Sequence, residues 1–266
     1  MMEVVHSLMA TILKKSEGEE NMETMKDNDP IVVSVTRMIR VGDVEALRRI
    51  LDENPMLASA RIVNDKGELS TFLHAVTDWP GYFPNGPMIV KMLVDAGADP
   101  NAPITGSWHS ETPLHWAASS DDVDVAEALI DAGADIGVLG GSIAEGTLLD
   151  NAVGYGCWNV ARLLVAQGAR VDKLWHAAAL GLMSRVEELL SSDSSSIPDE
   201  INYAFWQASH GGQRRVAELL LSKGADINWT PNYTNQTSLD TAASLDTRRD
   251  TMITWLKTKG ANSSGL

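Results

Sequence analysis

Apolar residues along the chain fall into short paired helical stretches, not into strand-like alternation. The clearest stretch runs Glu111-Thr112-Pro113-Leu114-His115-Trp116-Ala117-Ala118, then Asp122 to Ile130, then Ala132-Gly133-Ala134-Asp135-Ile136. Leu114, Ala117 and Ala118 share one face at helical spacing. Thr112 predicts the N-cap of that helix, and Pro113 falls in its first turn, where a missing amide proton costs nothing. Asp121 or Asp122 opens a second helix in which Val125, Ala126, Leu129 and Ile130 form the stripe to be buried. Gly133 follows, at a left-handed stop that glycine adopts without strain. The unit is a helix, a turn, a helix and a glycine stop.

The same order recurs. From Thr112 to Gly133 and from Thr147 to Gly168 the offset is 21 residues, and Tyr203 to Gly224 repeats it. Thr71-Phe72-Leu73-His74 opens a copy that reaches Gly97 after 26 residues, so it carries about five extra, the 79–86 insertion with Trp79, Tyr82 and Phe83. A last copy runs from Thr237 to Gly260-Ala261. Two further units are altered. One is built on 31–41 and 44–51, and the other, 172–199, lacks the glycine–alanine–aspartate ending. The pattern therefore predicts about seven units over 31–262 and a tail at 263–266. A repeat that cannot bury its own apolar face gains stability by stacking on its neighbours.

The Thr-Pro-Leu-His-Trp-Ala-Ala and Ala-Gly-Ala-Asp-Ile strings resemble the ankyrin repeat. That resemblance implies an all-α solenoid of stacked helix–turn–helix units with projecting fingers, a concave face of first helices and fingers, and protein–protein recognition as the usual task. It also implies that His74 and His115 are framework histidines bonded to neighbouring backbone. The chain as a whole is similar to compact single-domain ankyrin proteins of microbes, a likeness that brings no function with it. Where the histidine register holds Trp175 and Trp206, both indoles are expected in or near the core, with the interface between repeats reorganised around them.

Ahead of the repeats, 1–30 reads as a disordered or loosely ordered leader. Its 1–13 stretch is mildly amphipathic, but Glu17, Glu19, Glu20, Glu23, Asp27 and Asp29 follow with almost no apolar content. Its early Glu3 does not fit a signal peptide.

Composition narrows the function classes. The chain has 266 residues, 36 acidic against 21 basic side chains, and a net charge of −15. That balance argues against nucleic acid, which needs clustered Lys and Arg. No apolar run approaches a membrane span, so a membrane partner is not expected. The single cysteine, Cys157, excludes an internal disulfide and fits a cytoplasmic setting. Between Arg61 and Asp135 twelve acidic and three basic residues give −9, a field that steers basic partners.

Chemical motifs are sparse. There is no phosphate-binding Gly-Lys-Ser/Thr loop, no His-Glu-x-x-His and no EF-hand loop, so no cofactor and no metal site is expected. The reading leans away from an enzyme. Eight tryptophans outnumber three phenylalanines, and several fall on loops. Aromatics on loops beside a groove are natural anchors. The expected partner-binding set is Asp78, Trp79, Trp108, His109, Glu111, Tyr155, His210 and Trp229, holding a protein or peptide on a concave, acidic face. The alternative is a small-molecule or catalytic pocket closed by the 79–86 insertion and the Trp108-His109 finger, with His109 or His210 meeting an acid.

Overall fold

The computed structural model describes residues 24–191, 198–244 and 249–265; the 1–13 stretch lies outside the described residues. Among these, seven helix pairs follow one another. They are α1 (Pro30–Val41) with α2 (Val44–Glu53), α3 (Phe72–Thr77) with α4 (Gly86–Asp95), α5 (Pro113–Ser120) with α6 (Val123–Asp131), and α7 (Leu148–Gly154) with α8 (Trp158–Ala166). Then come α9 (Leu174–Leu180) with α10 (Met183–Ser191), α11 (Pro198–His210) with α12 (Arg214–Ser222), and α13 (Ser238–Ala242) with α14 (Asp250–Thr258). The first helices contact one another in sequence, α1 to α3 through to α11 to α13.

The reason for these helix starts is local. Thr71, Thr112, Thr147 and Thr237 each form a capping box with the residue three positions on, which is His74, His115, Asp150 and Asp240. Second helices are capped by Asp43, which accepts from Ala46 N at 3.0 Å, and Asp122, which accepts from Val125 N at 3.2 Å. Two residues past each of these threonines, and at the matching places in the fifth and sixth pairs, lies the row that holds the stack together. Leu73, Leu114, Leu149, Leu174, Phe205 and Leu239 are all buried at equivalent positions.

That row belongs to two cores. Leu73, Leu114 and Leu149 sit in a cluster that includes Ile39, Leu93, Leu129 and Leu164. Leu174, Phe205 and Leu239 sit in another with Val186, Leu220 and Leu256. The seam falls between the fourth and fifth pairs, where Val171 and Trp175 touch both clusters. A buried carboxylate spans it. Asp150 of α7 receives Lys173 Nζ and lies 3.2 Å from His176 Nε2 of α9.

The expected leader ends earlier than residue 30. Strand β1 (Thr24–Lys26) pairs in parallel with β2 (Arg61–Val63), and β2 pairs antiparallel with β3 (Leu69–Ser70). The acidic run offers little to bury, but a strand needs only backbone partners, and the edge at 61–63 supplies them.

Candidate functional site

The ends of the first helices converge on a groove. Asp78 terminates α3 and Trp79 follows it, Ser119 and Ser120 close α5, and Tyr155 terminates α7. Glu111 enters from the finger before Thr112, and Ser142 from the finger before Thr147. Together with Trp116 on α5 they line an open groove of about 530 Å³. Asp78 is held in place by Arg40 of α1 at 2.7 Å.

Glu111 forms the floor and is only 5 % exposed. Its Oε1 accepts from Ser142 N at 2.7 Å and from Asn151 Nδ2 at 2.6 Å. Oε2 lies 3.6 Å from His109 Nδ1. Burial opposes its ionisation, but the hydrogen bonds from Ser142 and Asn151 and the nearby His109 outweigh this, so the carboxyl is held below its ordinary range. A buried, ionised acid therefore stands beneath three aromatic side chains.

The insertion does not cover the groove. Tyr82 N donates to Asp122 Oδ2 at 2.5 Å, its hydroxyl donates to the Asp121 carbonyl, and Asn85 Nδ2 donates to Gly42 O at 2.9 Å. A Cβ on Gly81 would come within 3.1 Å of Ser120, so glycine permits this close docking at a φ of +76°. The insertion is thus pinned to its neighbours and leaves Trp79 80 % exposed at the groove's edge. Trp108 packs edge-on against His109 at 4.8 Å, is 68 % exposed, and is not among the groove's lining residues.

The remaining members of the expected set lie elsewhere. His210, at the end of α11, sits between Trp158 at 5.0 Å and Trp206 at 5.6 Å, and burial lowers its pKa to about 4. It meets none of Asp78, Glu111 or Glu145, because its ring turns into the stack. Trp229 lines a separate recess with Trp175, Tyr203 and Tyr233. Trp175 is half-buried and packs against both core clusters, near the core as expected, while it also lines that recess. Trp206 is buried as expected.

The framework role of the histidines follows from their bonds. Thr71 N donates to His74 Nδ1 at 3.2 Å, and His74 Nε2 donates to the Glu111 carbonyl at 3.1 Å. Thr112 N donates to His115 Nδ1 at 3.1 Å. Burial lowers the pKa of both to about 4. Both are therefore neutral structural groups.

Among the groove residues that escaped the sequence reading are Trp116 and Ser142. A signal existed for the first. In the register of Trp116 the other repeats carry Ala75, Asn151, His176, Gln207 and Thr241, which are small or polar. A large ring in a column otherwise filled by small or polar side chains, four of them buried, is that signal. Ser142 lies in a finger whose aim no periodicity encodes.

Comparison with known proteins agrees with this architecture. The family profile described as "Ankyrin repeats (3 copies)" matches residues 35–139 and 82–173. An ankyrin repeat protein of Fowlpox virus (strain NVSL) is 26% identical over 236 residues, covering 86% of this chain and 31% of the viral protein. A palmitoyltransferase of Kluyveromyces lactis is 30% identical over 136 residues, covering 50% of this chain and 17% of the yeast protein. The chain thus spans less than a third of the length of either relative. Among solved structures, the ankyrin repeat domain of Bcl-3 is 23% identical, covering 88% of this chain and 100% of its own, with a TM-score of 0.49. The human ASB11 ankyrin repeat domain is 18% identical, covering 86% and 98%, also with a TM-score of 0.49. Since the matched profile reaches from residue 35 to residue 173, more than half of the sequence, the chain belongs to the ankyrin-repeat family.

Proposed function

We propose that this chain is a protein-interaction module that seats a basic segment of a partner in the groove above Glu111. Ankyrin repeat domains generally bind proteins, and that coarse role is the starting point. The observation that carries the finer reading is the buried, hydrogen-bonded Glu111 carboxylate beneath Trp79, Trp116 and Tyr155. A lysine or arginine entering there meets a charge that little water screens and rings whose faces attract cations, worth about 0.5–2 kcal/mol for one well-placed ring. The net −9 between Arg61 and Asp135 adds long-range steering toward the same end. The open form of the groove suits a peptide better than an enclosed small molecule. In this reading residues 31–262 work as one binding domain.

The test is a tryptophan-fluorescence titration with short Lys- and Arg-containing peptides at low and high salt. Binding should weaken with salt and fall about tenfold in Glu111→Gln and in Trp79→Ala, the loss of one charge-assisted or cation–ring contact. Equal binding by wild type and both variants, or no binding of any basic peptide, would overturn the reading.

A further inference from the structure

On the other side of the same finger a second recess opens, of about 610 Å³. Ser142 faces the Glu111 groove, whereas Ile143 and Ala144 line this recess. Four rings wall it: Trp175 of α9, Tyr203 of α11, and Trp229 and Tyr233 of the finger between α12 and α13. They are arranged around Tyr203 at centroid distances of 5.5, 6.2 and 6.5 Å, with planes inclined by 53°, 63° and 85°. Rings that meet at such angles enclose a space instead of stacking it shut.

The hydrogen-bonding capacity of the lining is lopsided. Asp150 is buried and accepts from Thr147 N, Thr147 Oγ1 and Lys173 Nζ, with His176 Nε2 3.2 Å away. Gln207 Nε2 donates to the Tyr203 hydroxyl at 3.0 Å, and Tyr203 and Tyr233 hydroxyls pair at 3.2 Å. Either hydroxyl of that pair can donate, and in the arrangement where Tyr203 does, the Tyr233 proton is left for a ligand. The indole N–H groups of Trp175 and Trp229 form no hydrogen bond within the described residues, unlike that of Trp206, which donates to Gln236 O at 2.9 Å. Lys173 and Asp150 cancel each other's charge. The walls thus offer flat apolar faces and free donors, while the carboxylate among them is already bonded to Thr147 and Lys173; Asp199 stands at the rim.

A polyproline II segment is the complementary ligand. Its prolines carry no amide proton, its carbonyls point outward unsatisfied, and its pyrrolidine rings pack on aromatic faces. We propose that this recess is a binding subsite for a proline-rich peptide, held by Trp175, Tyr203, Trp229 and Tyr233, with a basic flanking residue of the peptide directed to Asp199. The subsite extends the peptide-binding reading but shares no lining residue with the Glu111 groove, so each is tested on its own.

The experiment titrates the full chain with decaproline, followed by tryptophan emission, with a glycine–serine peptide of equal length as control. Decaproline should bind and the control should not. Trp229→Ala should weaken decaproline about tenfold, the contribution of one stacked ring and its donor, and Tyr233→Phe about threefold, the loss of one neutral hydrogen bond. Trp79→Ala should bind decaproline as wild type does, even if it loses basic peptides. Circular dichroism checks that each variant is folded, and Tyr233→Phe serves if Trp229→Ala is not. No binding of decaproline, unchanged binding in both recess variants, or Trp229-dependent binding of chitohexaose in place of decaproline would each overturn the proposal.

Discussion

In the second, third and fourth helix pairs the register three residues past the cap holds His74, His115 and Asp150; the matching places in the fifth and sixth hold Trp175 and Trp206. His74 uses its Nε2 to bond the carbonyl of Glu111, the residue just before the next repeat's cap, Thr112. Trp206 uses its indole Nε1 on the carbonyl of Gln236, the residue just before Thr237. Two unlike side chains thus deliver one N–H to the same place in the repeat, and the interface around Trp206 is kept, not reorganised. Trp175 has no such carbonyl before it, since α11 already runs through that region, and it turns to the recess instead. At His74 and Trp206 this position supplies a donor that ties one finger to the next, whereas Asp150 supplies an acceptor that takes Lys173 across the seam.

The comparison breaks most severely through the row beside this register. Leu114→Ala in the first block and Phe205→Ala in the second should each cost about 2–5 kcal/mol, measured by urea unfolding, because each leaves a cavity in a closed interface. A variant that unfolds with the wild type would remove its residue from the core.

Acid comes next. The pKa of His74 and His115 is lowered by burial from the ordinary 6.5 to about 4, so the unfolded state takes up protons first as pH falls. Stability present at pH 7 is therefore lost through the window from about 6.5 to 4, by about 2 kcal/mol for each histidine at pH 5. His210, also lowered to about 4, adds to the same loss. Glu111, Asp150 and Asp240, held below their ordinary values against the opposing effect of burial, begin to give up stability only as pH falls to those ordinary values, 4.5 for Glu111 and 3.8 for the two aspartates. Thermal melts at pH 7 and 5 check the sign; equal melting temperatures would contradict it.

The smallest effect sharpens the comparison most. Trp206→Phe keeps the ring and removes the N–H, so Gln236 O loses its partner at a cost of about 1 kcal/mol. Trp206→His should recover part of that loss if the shared donor is the reason for both residues. Urea midpoints of the two variants decide it.

Much of this was legible in the residues. The Thr-Pro-Leu-His string fixed caps, helix starts and the row of Leu114, Leu149 and Phe205, because local hydrogen bonds and helical period determine them. Asp78, Trp79, Glu111 and Tyr155 were brought together as expected, since successive repeats carry equivalent positions to one side. The two-core seam at Asp150 was not legible, because Leu149 and Leu174 look equivalent in register. Nor was the recess, whose rings come from two first helices and a finger 26 residues beyond Tyr203 in the case of Trp229. Finger direction depends on tertiary contacts, which leave no period in the sequence.

The claim on which the rest depends is that each helix pair is sheltered chiefly by the pairs beside it. Native-state hydrogen exchange of Leu114→Ala tests it directly. Protection should fall in Pro113–Ser120 and also in the flanking Phe72–Thr77 and Leu148–Gly154, while Pro198–His210, across the seam, keeps most of its own. A loss confined to Pro113–Ser120, or one spread evenly over all seven pairs, would contradict the account.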